Sequence, residues 1–259
     1  MAADNKDKLK TLADWIREYQ SVVVFTGAGI STESGIPDFR SPGGIWDRFD
    51  PSELSYPNFI SNQRSRKKYW EFYRENWKDS AGAKPNRTHF AIAALERKGK
   101  VSAVITQNID GLHQAAGSAP QKVFELHGTM WEVRCLSCNH LYPWKDIYNL
   151  LEEEEYVHNC GNCGGLLKPA TVSFGQSLPA KTLEGAQRFS TNCELFLCIG
   201  SSLVVYPAAQ LPELAKNSGA KLVIINREST PLDRAADLVI LGEAGDIMSG
   251  VLELLGWSI

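Results

Sequence analysis

Four of the six cysteines fall in two Cys-x-x-Cys pairs, Cys135 with Cys138 and Cys160 with Cys163. Thiolates at that spacing wrap one tetrahedral ion, and glycines at 161, 164 and 165 permit the tight knuckles such a site needs. Four sulfurs leave no open coordination position, so the expected role is one structural Zn2+ per chain. A redox pair is the weaker reading of the same residues. His140 and His158 lie near in sequence, but four sulfurs already suffice. Cys193 and Cys198 stand beside an apolar run and read as core packing.

A second group of residues points to a phosphate-bearing ligand. Gly27, Ala28, Gly29 and Ser31 open a glycine loop directly after an apolar run. Glycines there let the backbone approach a diphosphate, and a helix N-terminus beyond them would supply free N–H groups. Alone, Gly-x-Gly fits an ordinary strand-to-helix turn equally well. Thr32 stands where the dehydrogenase fingerprint wants a third glycine, which argues against hydride transfer. The loop continues through Ile36 and Pro37 to Asp38, Phe39 and Arg40, so an aromatic ring and a cation follow the phosphate site.

Polar residues recur at other strand ends. Gln107, Asn108, Ile109 and Asp110 close one apolar run, Gly200, Ser201 and Ser202 another, and Asn226, Arg227 and Glu228 a third. Asn and Asp in such places are often only turn-formers. Ligands of open α/β sheets nevertheless bind at these carboxyl ends, so the groups should converge on one crevice. His127 lies close by, between an apolar stretch and Gly128. A lone histidine is commonly a satisfied core residue, but near a sheet edge a neutral imidazole is the usual general base for a sugar hydroxyl.

The elements that must position these groups alternate. Leu9, Leu12, Trp15, Ile16 and Tyr19 recur at helical spacing. Apolar, β-branched runs at 21–26, 101–106, 194–200, 221–226 and 237–241 read as buried parallel strands. Helical patterns at 87–97, at 208–216 and from about Asp246 onward lie between or after them. Such alternation implies an α/β fold: a doubly wound, Rossmann-like parallel sheet. Two stretches break the rhythm, an aromatic and charged segment at 41–85 and the cysteine-bearing segment at 128–171. The expected division is a Rossmann-like domain of 1–40, 86–127 and 172–259, with a second, smaller domain formed by the helical and zinc-ribbon insertions.

The 259 residues are 43% hydrophobic and 22% charged with a formal charge of -3, an ordinary globular balance. That charge gives no general attraction to nucleic acid or anionic lipid. The polar N-terminal residues lack a signal-peptide core, and no run approaches the roughly 18 apolar residues of a membrane span. A cytoplasmic protein without membrane or nucleic-acid partners is expected. Arg64 to Lys68 reads as a solvated helix face and Glu152 to Glu155 as an exposed acidic loop.

Taken in order, Gly27-Ala-Gly-Ile-Ser31, Gly35-Ile-Pro-Asp-Phe-Arg40, Thr106-Gln-Asn-Ile-Asp110, Leu126-His-Gly128, the four cysteines, Val172-Ser-Phe-Gly175, Gly200-Ser-Ser-Leu203 and Asn226-Arg-Glu228 resemble the sirtuins, NAD-dependent protein-lysine deacylases, as a single catalytic core of the prokaryotic type. The resemblance implies that NAD is consumed as co-substrate, yielding nicotinamide and an O-acyl-ADP-ribose. By position, His127 matches the general base, and Asn108, Ile109 and Asp110 match the ribose and nicotinamide pocket. Phe39 and Arg40 match the mobile loop pair that shields the reacting sugar carbon. Gly27, Ala28, Gln107, Gly200, Ser201, Ser202, Asn226 and Ala244 match cofactor contacts. Val172, Phe174 and Gly175 match the acyl-lysine tunnel and the edge to which a substrate peptide adds as a β-strand.

Family members that remove acidic acyl groups pair a tyrosine with an arginine three positions on. Here the places are Tyr73 and Asn76, with Ser55 as the small residue. Arg74 is one helical step of about 100° away and points elsewhere. The implied substrates are neutral acyl-lysines, acetyl first, with Ser55 leaving room for longer chains. Two alternatives are an NAD-dependent mono-ADP-ribosyltransferase and a non-catalytic NAD-sensing zinc module.

Overall fold

The computed structural model describes residues 3–154 and 159–258. Six strands, β1 (Val22–Thr26), β2 (Val101–Thr106), β3 (Val123–Glu125), β7 (Leu195–Ile199), β8 (Lys221–Asn226) and β9 (Leu238–Leu241), form one parallel sheet. Their order is β3-β2-β1-β7-β8-β9, so the chain reverses direction across the sheet between β1 and β7. That switch point is where open α/β sheets bind ligands.

β1 shows why the strands are apolar throughout. Val22 and Val24 join one core cluster, Val23 and Phe25 the other, and all four are fully buried. The first cluster lies beneath α1 (Ala3–Glu18), α4 (Arg87–Arg97) and α9 (Ala244–Leu255), the second beneath α7 (Ala180–Thr191) and α8 (Gln210–Asn217). A strand covered on both faces has no solvent side on which to alternate.

Three antiparallel strands, β4 (Gly128–Cys135), β5 (Leu141–Pro143) and β6 (Leu167–Thr171), make the second sheet, in the order β5-β4-β6. Against it pack α6 (Trp144–Glu154) and α3 (Gln63–Ala81), which follows α2 (Tyr56–Ser61). The Trp70 and Trp144 rings stack at 5.9 Å and 17°, and Trp77 completes the cluster. The two insertions therefore share one core.

Several expectations change. The acidic run is the end of α6 as far as Glu154, because Ile147 and Leu151 anchor that helix in the aromatic core; Glu155 and His158 lie outside the described residues. The charged run from Arg64 keeps its reading as a helix face: it lies in the first turns of α3, where Arg66 donates to the Phe59 and Ile60 carbonyls and Lys68 pairs with Glu53. α7 was not expected from the residue pattern, and it carries Gly185 mid-helix. A Cβ there would lie 2.5 Å from Phe124 Cε1, so the glycine marks a close helix-to-sheet approach and not a break. β3 is too short to announce itself.

Candidate functional site

A cavity of about 420 Å³ opens at the switch point and runs under α3 and beside β6. Every cofactor and substrate residue selected from the sequence lines it, except Ala244. That residue begins α9 and is buried in the core, where Gly245 N–H donates to Glu33 at 2.8 Å. Its motif position is adjacent to β9, but the helix turns the side chain inward.

The glycine loop is built differently from the expectation. No α-helix follows it; two 3-10 turns, Ala28–Ile30 and Thr32–Ser34, do. The Gly27 and Gly29 N–H groups donate to the Ile199 and Gly200 carbonyls, so they are not free for a phosphate. A Cβ on either would lie 2.8 Å from the Gly200 oxygen. These glycines let the loop press against the turn after β7, and Gly200 sits at φ 63 with Ile30 directly beneath it. The backbone at the switch point is thereby stripped of side chains, which fits an extended dinucleotide.

Asp38 fastens the next part of the loop. Its carboxylate accepts from the Arg40 and Ser41 N–H groups, from Ser41 Oγ and from Arg227 Nη2 at 2.9 Å. Burial pushes this carboxyl up, but those bonds and Arg227 outweigh it and hold the pKa below the ordinary aspartate value. Phe39 leans on Trp46 at 5.1 Å, and Trp46 in turn on Phe174 at 6.0 Å. An aromatic wall thus closes one side.

The polar cluster is a connected network. Asn108 Nδ2 donates to Ser31 Oγ at 3.1 Å, which donates to Asp110 Oδ2 at 2.7 Å, while Leu112 N–H holds Oδ1 at 2.9 Å. Gln107 Nε2 donates to Ser201 Oγ at 2.7 Å and ties β2 to β7. His127 Nδ1 lies 2.9 Å from the Gln107 carbonyl. A carbonyl only accepts, so Nδ1 carries the proton and Nε2 is bare on this cavity-lining ring. Burial lowers the His127 pKa, with the Gln107 bond opposing, and the ring is neutral at pH 7.

Behind the cluster lies a pair of buried histidines that the sequence did not single out. Asn108 N–H donates to Thr106 Oγ1, Thr106 meets Thr26 at 2.9 Å, and Thr26 meets His113 Nε2 at 2.9 Å. His89 lies edge-on to His113 at 5.2 Å. Burial and then His89 pull His113 down to about 3; burial pulls His89 to about 4 against Asp110 and Glu33. The unfolded chain therefore takes up these protons first. Their contribution is complete above the ordinary histidine value of 6.5 and falls as pH drops from there toward the folded values. The urea midpoint is expected to fall between about pH 6.5 and 5, above the usual carboxylate range. His113→Gln should flatten that fall, and an unchanged slope would remove the pair from the account.

The four cysteine sulfurs lie within 4.8 Å of one another. Cys135 and Cys163 are 3.5 Å apart, Cys138 and Cys160 3.7 Å, against about 3.8 Å for a tetrahedron with Zn–S of about 2.3 Å. The donor set therefore fits a structural zinc. His140 packs its ring on Tyr142 at 4.7 Å, and its carbonyl accepts from Cys135 N–H. None of the cysteines lines the cavity.

On the acyl side, Tyr73 and Asn76 line the cavity and Arg74 does not. Leu54 and not Ser55 faces it; Ser55 occupies the N-cap position of α2 without a side-chain capping bond and does not border the cavity. Tyr69, Thr171 and Ser173 were missed. Tyr69 precedes Tyr73 by one helical turn, and Thr171 and Ser173 alternate with Val172 and Phe174. Both periods were legible.

The model of the Sir2 family matches residues 27–207. The chain is 46% identical over 250 residues to the NAD-dependent protein deacylase 2 of Archaeoglobus fulgidus, covering 96% of each. It is 42% identical over 249 residues to an NAD-dependent protein deacetylase of Thermodesulfovibrio yellowstonii, again covering 96% of each. Among solved structures it resembles a Sir2 enzyme bound to an acetylated peptide, with TM-score 0.88 and 40% identity over 96% of this chain and 99% of that one. It also resembles a Sir2 enzyme bound to a propionylated peptide, with TM-score 0.87 and 41% identity over 97% of this chain and all 100% of that one. Fold, cavity and relatives agree, and the chain belongs to the Sir2 family.

Proposed function

We infer that the protein is an NAD-dependent protein-lysine deacylase, acting on acetyl-lysine first, with nicotinamide and O-acyl-ADP-ribose as products. The observation that carries this reading is the bare Nε2 of His127, fixed by the Gln107 carbonyl, on the cavity that the strand ends and β6 share. Bound NAD supplies a sugar carbon that accepts the acyl oxygen as nicotinamide leaves. His127 Nε2 takes the proton from a ribose hydroxyl so that the acyl group transfers to the sugar. Asn108, held by Ser31, and Asp110 orient the ribose and nicotinamide. Phe39 with Trp46 keeps water from competing with the acyl oxygen.

Gly27 to Ser31, Gly200 to Ser202 and Asn226 to Glu228 hold the rest of the dinucleotide, with Arg227 tying the Asp38 loop to the end of β8. The peptide adds as a strand along 172–175. Val172 N–H is taken by the His127 carbonyl at 2.8 Å. Among the described residues, no partner is found for the Phe174 and Gly175 N–H groups, which suits an incoming backbone. We assign 1–40, 86–127 and 172–259 to the cofactor domain and the two insertions to the smaller one. No helix among the described residues is long and apolar enough to cross a membrane, and we assign the protein to the cytoplasm.

Incubation with NAD and an acetyl-lysine peptide, read by mass spectrometry, tests the reaction. Free lysine peptide with O-acetyl-ADP-ribose is expected. An ADP-ribosylated peptide in their place would make the protein a transferase, and intact NAD would make it a sensor.

A further inference from the structure

A cavity that holds only an alkyl chain needs no hydrogen-bond donors in its wall, yet four hydroxyls line this one together. Tyr69 and Tyr73 come from successive turns of α3, and their rings stack at 5.0 Å and 24°. Thr171 and Ser173 face them from β6 and the residues just after it. Tyr69 Oη lies 2.6 Å from Ser173 Oγ, and Tyr73 Oη is bonded to Thr171 Oγ1.

Behind Tyr69 lies Lys168, 1% exposed, its ammonium 5.1 Å from the centre of the Tyr69 ring. Its N–H groups go to the Pro169 and Thr171 carbonyls. Burial pushes the Tyr69 phenol up, but the contacts that outweigh it, led by the Lys168 charge, hold the pKa below the ordinary tyrosine value. Tyr73, buried and next to Tyr69, is pushed well above that value. A phenol is a far stronger acid than an alcohol, so within the Tyr69–Ser173 contact the phenol is the better donor and Ser173 Oγ accepts. The proton of Ser173 Oγ then has no protein acceptor among the described residues. Lys168, Tyr69 and Ser173 form a polarised chain that ends as one donor at the cavity wall.

We propose that this wall is an acyl subsite that donates a hydrogen bond, and that the protein prefers acyl groups carrying a neutral oxygen acceptor beyond the carbonyl, hydroxyacyl groups, over alkyl chains of equal length. The proposal rests on the deacylase reading and names its substrate class. An alkyl chain would displace water from the Ser173 donor and leave it unpaired, whereas a hydroxyl oxygen pairs with it. Acidic acyl groups are not favoured. Asn76 is a neutral amide where a clamp for an acid needs a cation, with one N–H on the Phe72 carbonyl at 2.8 Å and its Oδ1 accepting from Arg48 at 3.3 Å, while Lys168 stays behind Tyr69.

The test compares kcat/KM for one peptide carrying acetyl-, butyryl-, 3-hydroxybutyryl- or succinyl-lysine. A 3-hydroxybutyryl to butyryl ratio of about ten is expected, the usual discrimination of one hydrogen bond, with succinyl below both. Ser173→Ala and Tyr69→Phe should bring the ratio toward one, and Ser173→Thr should retain it. A merely structural role would lower both rates alike and leave the ratio unchanged. Turnover of acetyl-lysine with a wild-type ratio near one sinks the subsite while the deacylase reading stands. Loss of all turnover in the wild type sinks both. Succinyl-lysine as the best substrate would show that charge is read instead, and would also overturn the proposal.

Discussion

His127→Ala is expected to lower deacetylation by about 100-fold or more, the usual scale for removing a general base. The variant should keep the wild-type melting temperature within a few degrees. Among the described residues the ring makes one hydrogen bond, to the Gln107 carbonyl, so its removal leaves a single backbone acceptor that water can satisfy. The loss should appear in kcat with little change in the KM for NAD, because the dinucleotide is gripped at the strand ends. Wild-type activity should also show an acid limb. The folded pKa of His127 is depressed by burial, so the base is neutral above the ordinary histidine value of 6.5 and activity falls as pH drops below it through the lower folded value. A His127→Ala enzyme with the wild-type rate, or a rate that rises on acidification below pH 6.5, would refute the assignment.

The second large effect concerns stability. The isolated protein should contain one zinc per chain by elemental analysis, and stripping it with a chelator should melt the module around β4, β5 and α6. Cys135 and Cys160 are buried in the same cluster as Trp70, Trp144, Ile147 and Leu151. The ion and the apolar core therefore hold each other. Zinc sites in small domains contribute about 10–16 kcal/mol at neutral pH, more than the whole stability of a typical domain. Cys160→Ser should act in the same direction. Loss of near-ultraviolet circular dichroism from the stacked tryptophans should accompany loss of zinc. Activity should fall too, although no cysteine lines the cavity, because α3 and β6 carry Tyr73, Thr171 and the substrate edge against that core. A stripped protein with unchanged melting and full activity would show that the cysteines do not hold the fold.

Much of this was legible without coordinates. Apolar runs bounded by glycine and polar residues identified five of the six parallel strands, because strands buried on both faces must be apolar throughout. The Cys-x-x-Cys pairs specified their own chemistry, since ligand type and spacing are local properties. β3 and α7 were not legible: three residues carry no period, and Gly185 reads as a break unless Phe124 is known to lie against it. Glu152 to Glu154 read as loop for a similar reason, the anchoring of α6 by a core assembled from distant residues.

The same division holds within the site. Residue types were readable along the chain: a histidine, an Asn-x-Asp cluster, a glycine loop and four thiolates. Their contacts in the site were set by folding. Gly27 and Gly29 were read as a cradle, but their N–H groups are spent on the turn after β7, and their missing side chains let two loops touch. The tautomer of His127 depends on a carbonyl contributed by a different strand end. Ala244 turned inward and Leu54 took the place expected for Ser55, while Lys168 came to lie behind Tyr69 from the opposite side of the small core. Spacing along the chain fixes neighbours within a helix or strand, whereas hydrogen-bond partners, burial and the direction of a proton are set by segments that meet only when the chain folds.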